Sequence, residues 1–152
     1  LLELTLVMFF MAIIAGLSTP FVMSTLDRME LQTSARKVAS ALRYARSEAI
    51  ASKKPVVFSG NLDKNQFWVT QGYNNETPKI TSLTDPIRLD HFINEGEDNF
   101  VRDDEFTVTF FPQGNSSGGL IGMNINESRS SENYYAISID PITGKTKIKQ
   151  TK

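Results

Sequence analysis

Three hydrophobic patterns follow one another along this sequence. From Leu4 to Leu26 no residue is charged and most are apolar. As an α-helix rising roughly 1.5 Å per residue, that run is about 35 Å long, enough to cross a hydrocarbon core. A secretory signal peptide would carry a shorter apolar region, about 7–15 residues, with a small-residue cleavage site behind it. The run here is longer and passes without a break into helix-forming sequence, so a retained membrane helix is expected. Pro20 lies inside it. Its ring removes one N–H and crowds the carbonyl of Gly16, so a kink is expected between Gly16 and Pro20. Ser18 and Thr19 stand where they can satisfy the freed backbone groups.

From Asp27 the apolar period becomes that of an amphipathic helix. Leu31, Ala35, Val38, Leu42, Ala45 and Ala49 are spaced alternately four and three apart and draw one stripe. Arg36, Lys37, Arg43, Arg46 and Glu48 lie mainly off it. The alanines predict close approach to a sheet. Pro55 disfavours helix at the residue before it, so the helix should stop near Ser52–Lys53. One long helix with two environments is therefore expected, with residues 1–26 in lipid and residues 27–54 against a head.

Beyond Pro55 the pattern changes to short runs suited to strands. Candidates are Val56–Ser59, Gln66–Thr70, Ile87–Leu89, Phe106–Phe111, Leu120–Asn126, Tyr134–Asp140 and Lys145–Lys149. Phe106, Val108 and Phe110 alternate with threonines, and Tyr135, Ile137 and Ile139 alternate with Ala136 and Ser138. Each pattern buries one face. Pro141-Ile142-Thr143-Gly144 reads as the turn of a final hairpin. Residues 74–85 and 94–104 read as polar connections. The predicted class is α+β: a long N-terminal helix packed on an antiparallel sheet or sandwich spanning 55–152.

The 152 residues, 40% hydrophobic and 22% charged, suffice for one packed domain. The net charge of −1 argues against a globally basic nucleic-acid binder. It conceals a division. Glu3 is the single charge in residues 1–26. Residues 27–54 hold seven Lys/Arg against three Asp/Glu, net +4, and residues 55–140 hold five against thirteen, net −8. The last twelve residues hold four lysines, net +4. Cysteine is absent, which excludes disulfides, thiolate catalysis and cysteine metal sites.

Leu1-Leu2-Glu3-Leu4 followed by an apolar run with Pro20 resembles the N-terminal segment of type IV pilin-like proteins. That family pattern begins with a phenylalanine, a small hydroxyl residue and two aliphatics before its glutamate, so the resemblance implies that this sequence begins inside the motif. Two further stretches, Ala41-Leu42-Arg43-Tyr44-Ala45-Arg46-Ser47-Glu48-Ala49-Ile50 and Lys54-Pro55-Val56-Val57, are similar to the helix-to-strand junction of the GspH/FimT group. Phe111-Pro112-Gln113-Gly114 and Ile142-Thr143-Gly144-Lys145 resemble its strand-turn signatures. The group contains minor pseudopilins of type II secretion and minor type IV pilins.

The resemblance implies assembly rather than catalysis, without a cofactor or metal. It implies a single-pass inner-membrane protein with a periplasmic head, matured by a prepilin peptidase. Its N-terminal helix would then join other pseudopilins or pilins on an inner-membrane platform. Glu3 takes the place of the glutamate thought to pair with a neighbouring subunit's N-terminal amine. The first expectation is a minor pseudopilin of the type II pseudopilus, which drives protein export across the outer membrane. The alternative is a FimT-like minor type IV pilin for pilus assembly or DNA uptake, with Lys145, Lys147, Lys149 and Lys152 as the tail that would neutralise phosphates. Against that reading, lysines on an edge strand also discourage aggregation, and no aromatic stands beside them to stack on bases.

An enzyme is the third class considered. His91 is the single histidine, and no nucleophile motif accompanies it. It reads as a surface or hydrogen-bonded structural residue. Glu95, Glu97, Asp98, Asp103, Asp104 and Glu105 offer oxygen ligands for calcium, but their spacing does not match the twelve-residue calcium loop.

Overall fold

The chain is helical without interruption from Leu2 to Ser52 (α1), so the membrane-length run and the amphipathic stretch are two parts of one helix. The computed structural model describes residues 1–71, 77–96, 100–101, 105–125 and 134–150, the side chains of 17–24, 100 and 101 excepted. The helix passes through Gly16 and Pro20, but the expected kink falls on residues whose side chains lie outside those described. The C-terminal end is where the proline argument places it. Lys53 turns left-handed at φ 54°, Ser52 Oγ donates to the Glu48 carbonyl at 2.7 Å, and Pro55 precedes the first strand.

All six residues of the predicted stripe, Leu31 to Ala49, are fully buried. They pack on a head with nine strands among the described residues: β1 (Val56–Asn61), β2 (Gln66–Gln71), β3 (Thr81–Ser82), β4 (Ile87–Ile93), β5 (Phe100–Val101), β6 (Glu105–Phe110), β7 (Gly119–Ile125), β8 (Tyr134–Ile139) and β9 (Thr146–Gln150). One sheet runs β3-β2-β1-β6 and the other β5-β4-β7-β8-β9. Every pairing is antiparallel. The helix touches both sheets, and its small alanines let the backbones approach closely.

The alternating faces meet between the sheets. Phe58 of β1 stands opposite Val69 and Val108, and Gly60 stands opposite Phe67 and Phe106. A Cβ at Gly60 would sit 2.4 Å from the Phe106 ring, so glycine leaves room for that ring. Phe106 then stacks on Phe92 of the second sheet, with centroids 4.6 Å apart and planes 10° apart. Asn65, buried in the β1–β2 turn at φ 53°, links the same parts of the chain. Its Nδ2 donates to the Ile87 carbonyl at 2.7 Å, and its Oδ1 accepts from Leu89 N at 3.0 Å.

Seven expected strands are present, with ends shifted by one to four residues. The short β3 and β5 lie inside segments expected to be polar connections. Two residues are too few to show alternation, and each pairs only along the end of a longer strand. Strand β4 continues past Leu89 to Ile93 because a bulge between Leu89 and His91 absorbs the charged Asp90. Lys145 was expected within the last strand, but β9 begins one residue later. The proposed turn occupies 141–144, and Lys145 N still bonds to Thr143 Oγ1 at 3.3 Å.

Candidate functional site

The first half of α1 presents apolar side chains to every side. Leu2, Leu4, Met8, Phe9, Met11 and Ile14 are each more than 60% exposed, and Leu6, Val7 and Phe10 more than half. An amphipathic surface helix would hide one stripe; this one hides none among its described side chains. A helix that is apolar all round is ordinarily buried, in lipid or among other protein. Among the described residues no helix is long and apolar enough to cross a membrane, and residues 17–24 of the run carry no described side chains.

Glu3 sits in the first turn of this helix and is exposed. Residues 1–26 offer it no lysine or arginine. Among apolar surroundings this carboxylate would need a cation to meet it. Gly16 lies on the helix with open space around its Cβ position, and nothing is described of the Pro20 side chain.

The second element of the site is the junction of helix and head. Arg46 Nε donates to the Gly114 and Thr143 carbonyls, each at 3.0 Å. Gly144 is buried at φ 61°. A Cβ there would lie 2.3 Å from the Gly114 oxygen and 2.9 Å from Arg46 Nε. Three segments distant in sequence therefore close on one point: the helix around residue 46, the 111–114 turn and the 142–145 turn. Gln71 Nε2 donates to Glu48 Oε1, which ties the same stretch of helix to β2. Sequence motifs marked these segments but gave no sign that they touch.

The hairpin turn beside this junction is built on Asp140. Its Oδ1 accepts from Ile142 N at 2.9 Å and Thr143 N at 2.8 Å, and Gly144 N donates to its carbonyl at 2.8 Å. The Thr143 backbone bond, ahead of smaller contributions that include Lys147, holds the Asp140 carboxyl below its ordinary value. A depressed folded value adds stability above the unfolded value of about 3.9, and that stability is lost as pH falls through the folded value. Asp140→Asn is therefore expected to melt earlier than the parent chain at pH 6, with the gap narrowing below about pH 4. Thermal melts across that range check it, and a gap that stays constant to acid would refute it.

Three of the four tail lysines are described, and Lys152 lies outside. Lys147 and Lys149 pair across β8–β9 with Ser138 and Ala136, so they share a face. With Lys145 they line a groove of about 610 Å³ whose other residues include Glu95 and Asp140. Two carboxylates thus stand beside the three lysines. Of the acidic segment, Glu97, Asp98, Asp103 and Asp104 lie outside the described residues. Among the described residues no group of three His, Cys, Asp or Glu is placed to hold a metal.

His91 is 8% exposed and has hydrogen-bond partners at both ring nitrogens. Nδ1 lies 2.7 Å from Asp90 Oδ2, and Nε2 lies 3.3 Å from the Tyr134 hydroxyl. Burial, and then the Asp90 charge, push the Tyr134 phenol above its ordinary value, which keeps its proton available to donate. Asn124 Nδ2 donates to Asp90 Oδ1 at 3.2 Å. This network fixes the bulged part of β4 against β7 and β8, the role of a structural histidine.

Comparison with known proteins agrees with this architecture. Residues 34–143 match the family model described as "Type II transport protein GspH". A type II secretion system protein H of Xanthomonas campestris pv. campestris is 25% identical over 147 residues, covering 97% of this chain and 79% of that protein. The minor pseudopilin EpsH from the type II secretion system of Vibrio cholerae superposes with a TM-score of 0.66 at 14% identity, over 80% of this chain and 96% of that one. The type IV minor pilin FimU of Pseudomonas aeruginosa gives 0.61 at 17% identity, over 82% and 91%.

Proposed function

The chain belongs to the GspH family of type II transport proteins, and from that premise we propose that it works as a minor pseudopilin of the type II secretion system. The observation that carries this reading is the division of one helix. From Leu31 onward its stripe is buried in the head, while the described apolar side chains of the first sixteen residues are exposed. The bare half anchors the subunit in the inner membrane and then packs among the helices of other subunits when the pseudopilus forms. The head faces the periplasm. The protein is a structural subunit rather than an enzyme.

Glu3 supplies the register of that packing. A carboxylate within a helix bundle costs several kcal/mol unless a cation meets it. The N-terminal amine of a neighbouring subunit is a cation that such a bundle offers. Polar pairs of this kind select one axial position in helical assemblies. Glu3→Ala is expected to leave the melting of the head unchanged and to reduce capture by partner pseudopilins at least tenfold in a detergent pull-down. Normal capture of the variant would sink the assignment.

The likeness to EpsH and FimU concerns the fold, which secretion and pilus subunits share. The family model and the Xanthomonas relative both point to type II transport and favour secretion. Deleting the gene is expected to leave export cargo in the periplasm while pili and DNA uptake persist. The opposite phenotype would move the protein to the pilus machinery.

A further inference from the structure

Strand β9 is the terminal strand of its sheet, so among the described residues one of its edges has no strand partner. Between β9 and α1 lies a cleft of about 270 Å³ lined by Arg43, Arg46, Gly144, Lys145, Thr146 and Lys147. Four of these six residues are cations, Arg43 and Arg46 from α1, Lys147 from β9 and Lys145 from the turn before it, and no acidic or aromatic residue is among the six. It differs in this from the groove on the other side of the lysines, where Glu95 and Asp140 offset the charge. Arg46 Nε is committed to two carbonyls, which anchors one wall.

We propose that this cleft docks a carboxylate-rich peptide segment of a neighbouring subunit. The assignment rests on the reading of the chain as a filament subunit and names the chemistry of one of its contacts. A segment entering beside β9 would meet a terminal strand as well as four cations, so backbone pairing and charge could act together. The sequence itself holds such a segment, with six carboxylates and one arginine between Asn94 and Glu105. A nucleic acid fits less well. Its phosphates would run on past a stretch, residues 55–140, that carries net −8, and the cleft offers its bases no aromatic surface.

The test uses the full chain in detergent micelles and a fluorescent peptide with the sequence of residues 94–105. Saturable binding is expected at low salt, falling at least tenfold by about 0.5 M salt as screening shortens the reach of the charges. The double variant Arg43→Glu/Lys147→Glu should bind at least tenfold more weakly with an unchanged melting curve. Arg43→Gln/Lys147→Gln serves if the charge reversal disturbs folding. Lys149→Glu, outside the cleft, should bind within about twofold of the parent. Absence of peptide binding, equal binding by the double variants, or tighter binding of oligothymidylate through Arg43 and Lys147 would overturn the proposal. Peptide binding with no capture of pseudopilins would instead leave the cleft standing and sink the filament reading.

Discussion

Phe106→Ala is expected to lower the unfolding free energy by about 3–5 kcal/mol. The ring is 3% exposed and touches both sheets. It stacks on Phe92 across the interlayer gap and lies 6.2 Å from Phe58 on its own sheet. Removing it deletes the transfer free energy of a buried aromatic and leaves a cavity. The neighbour directly across the strand is Gly60, which has no side chain to move into the space. Collapse is therefore limited, and the cavity adds its cost to the lost transfer free energy. Phe106→Leu refills much of the volume and should cost about 1–2 kcal/mol. Urea melts of the three chains give the comparison. A loss below about 1 kcal/mol for the alanine variant would mean that the sheets are held together elsewhere.

The long elements were legible because each carries a period. Leu31 to Ala49 kept helical spacing over five intervals, and every one of those residues is buried. Phe106, Val108 and Phe110 alternated, and each points into the core. What could not be read was whatever lacks a period. Strands β3 and β5 are two residues each, and the bulge at Asp90 put a charge into the middle of a strand. Asn65 has no local pattern to mark it, yet its side chain holds β4 in place through two hydrogen bonds of 3.0 Å or less.

The candidate site divides in the same way. Glu3 stood out because a single charge beside a long apolar run has few explanations. The tail lysines stood out by composition, but composition could not show that Glu95 and Asp140 share their groove or that Arg43 faces them from the helix. Those neighbours come from elements far apart in sequence. Register and packing decide such proximity, and neither can be read from a local motif.

The junction at Arg46 is the strongest case, and Gly144→Ala is expected to cost about 3 kcal/mol there. Two effects add. At φ 61° an alanine pays the left-handed penalty that glycine avoids. Its Cβ would also press on the Gly114 carbonyl oxygen at 2.3 Å, and backbone cannot rotate away as a side-chain tip can. Relief requires moving the 142–145 turn off the 111–114 turn, which pulls the Thr143 and Gly114 carbonyls from Arg46. Arg46→Ala removes the same two bonds from the helix side and should cost about 2 kcal/mol. Arg46→Lys keeps the charge but loses the Nε donor that both carbonyls share, so it should recover less than half of that loss. Because both substitutions open one contact, the double variant Arg46→Ala/Gly144→Ala should lose at least about 0.5 kcal/mol less than the sum of the single losses. Chemical denaturation of the four chains measures this coupling. Strict additivity would mean that the glycine and the arginine act separately, and that the helix is not clasped to the head at this point.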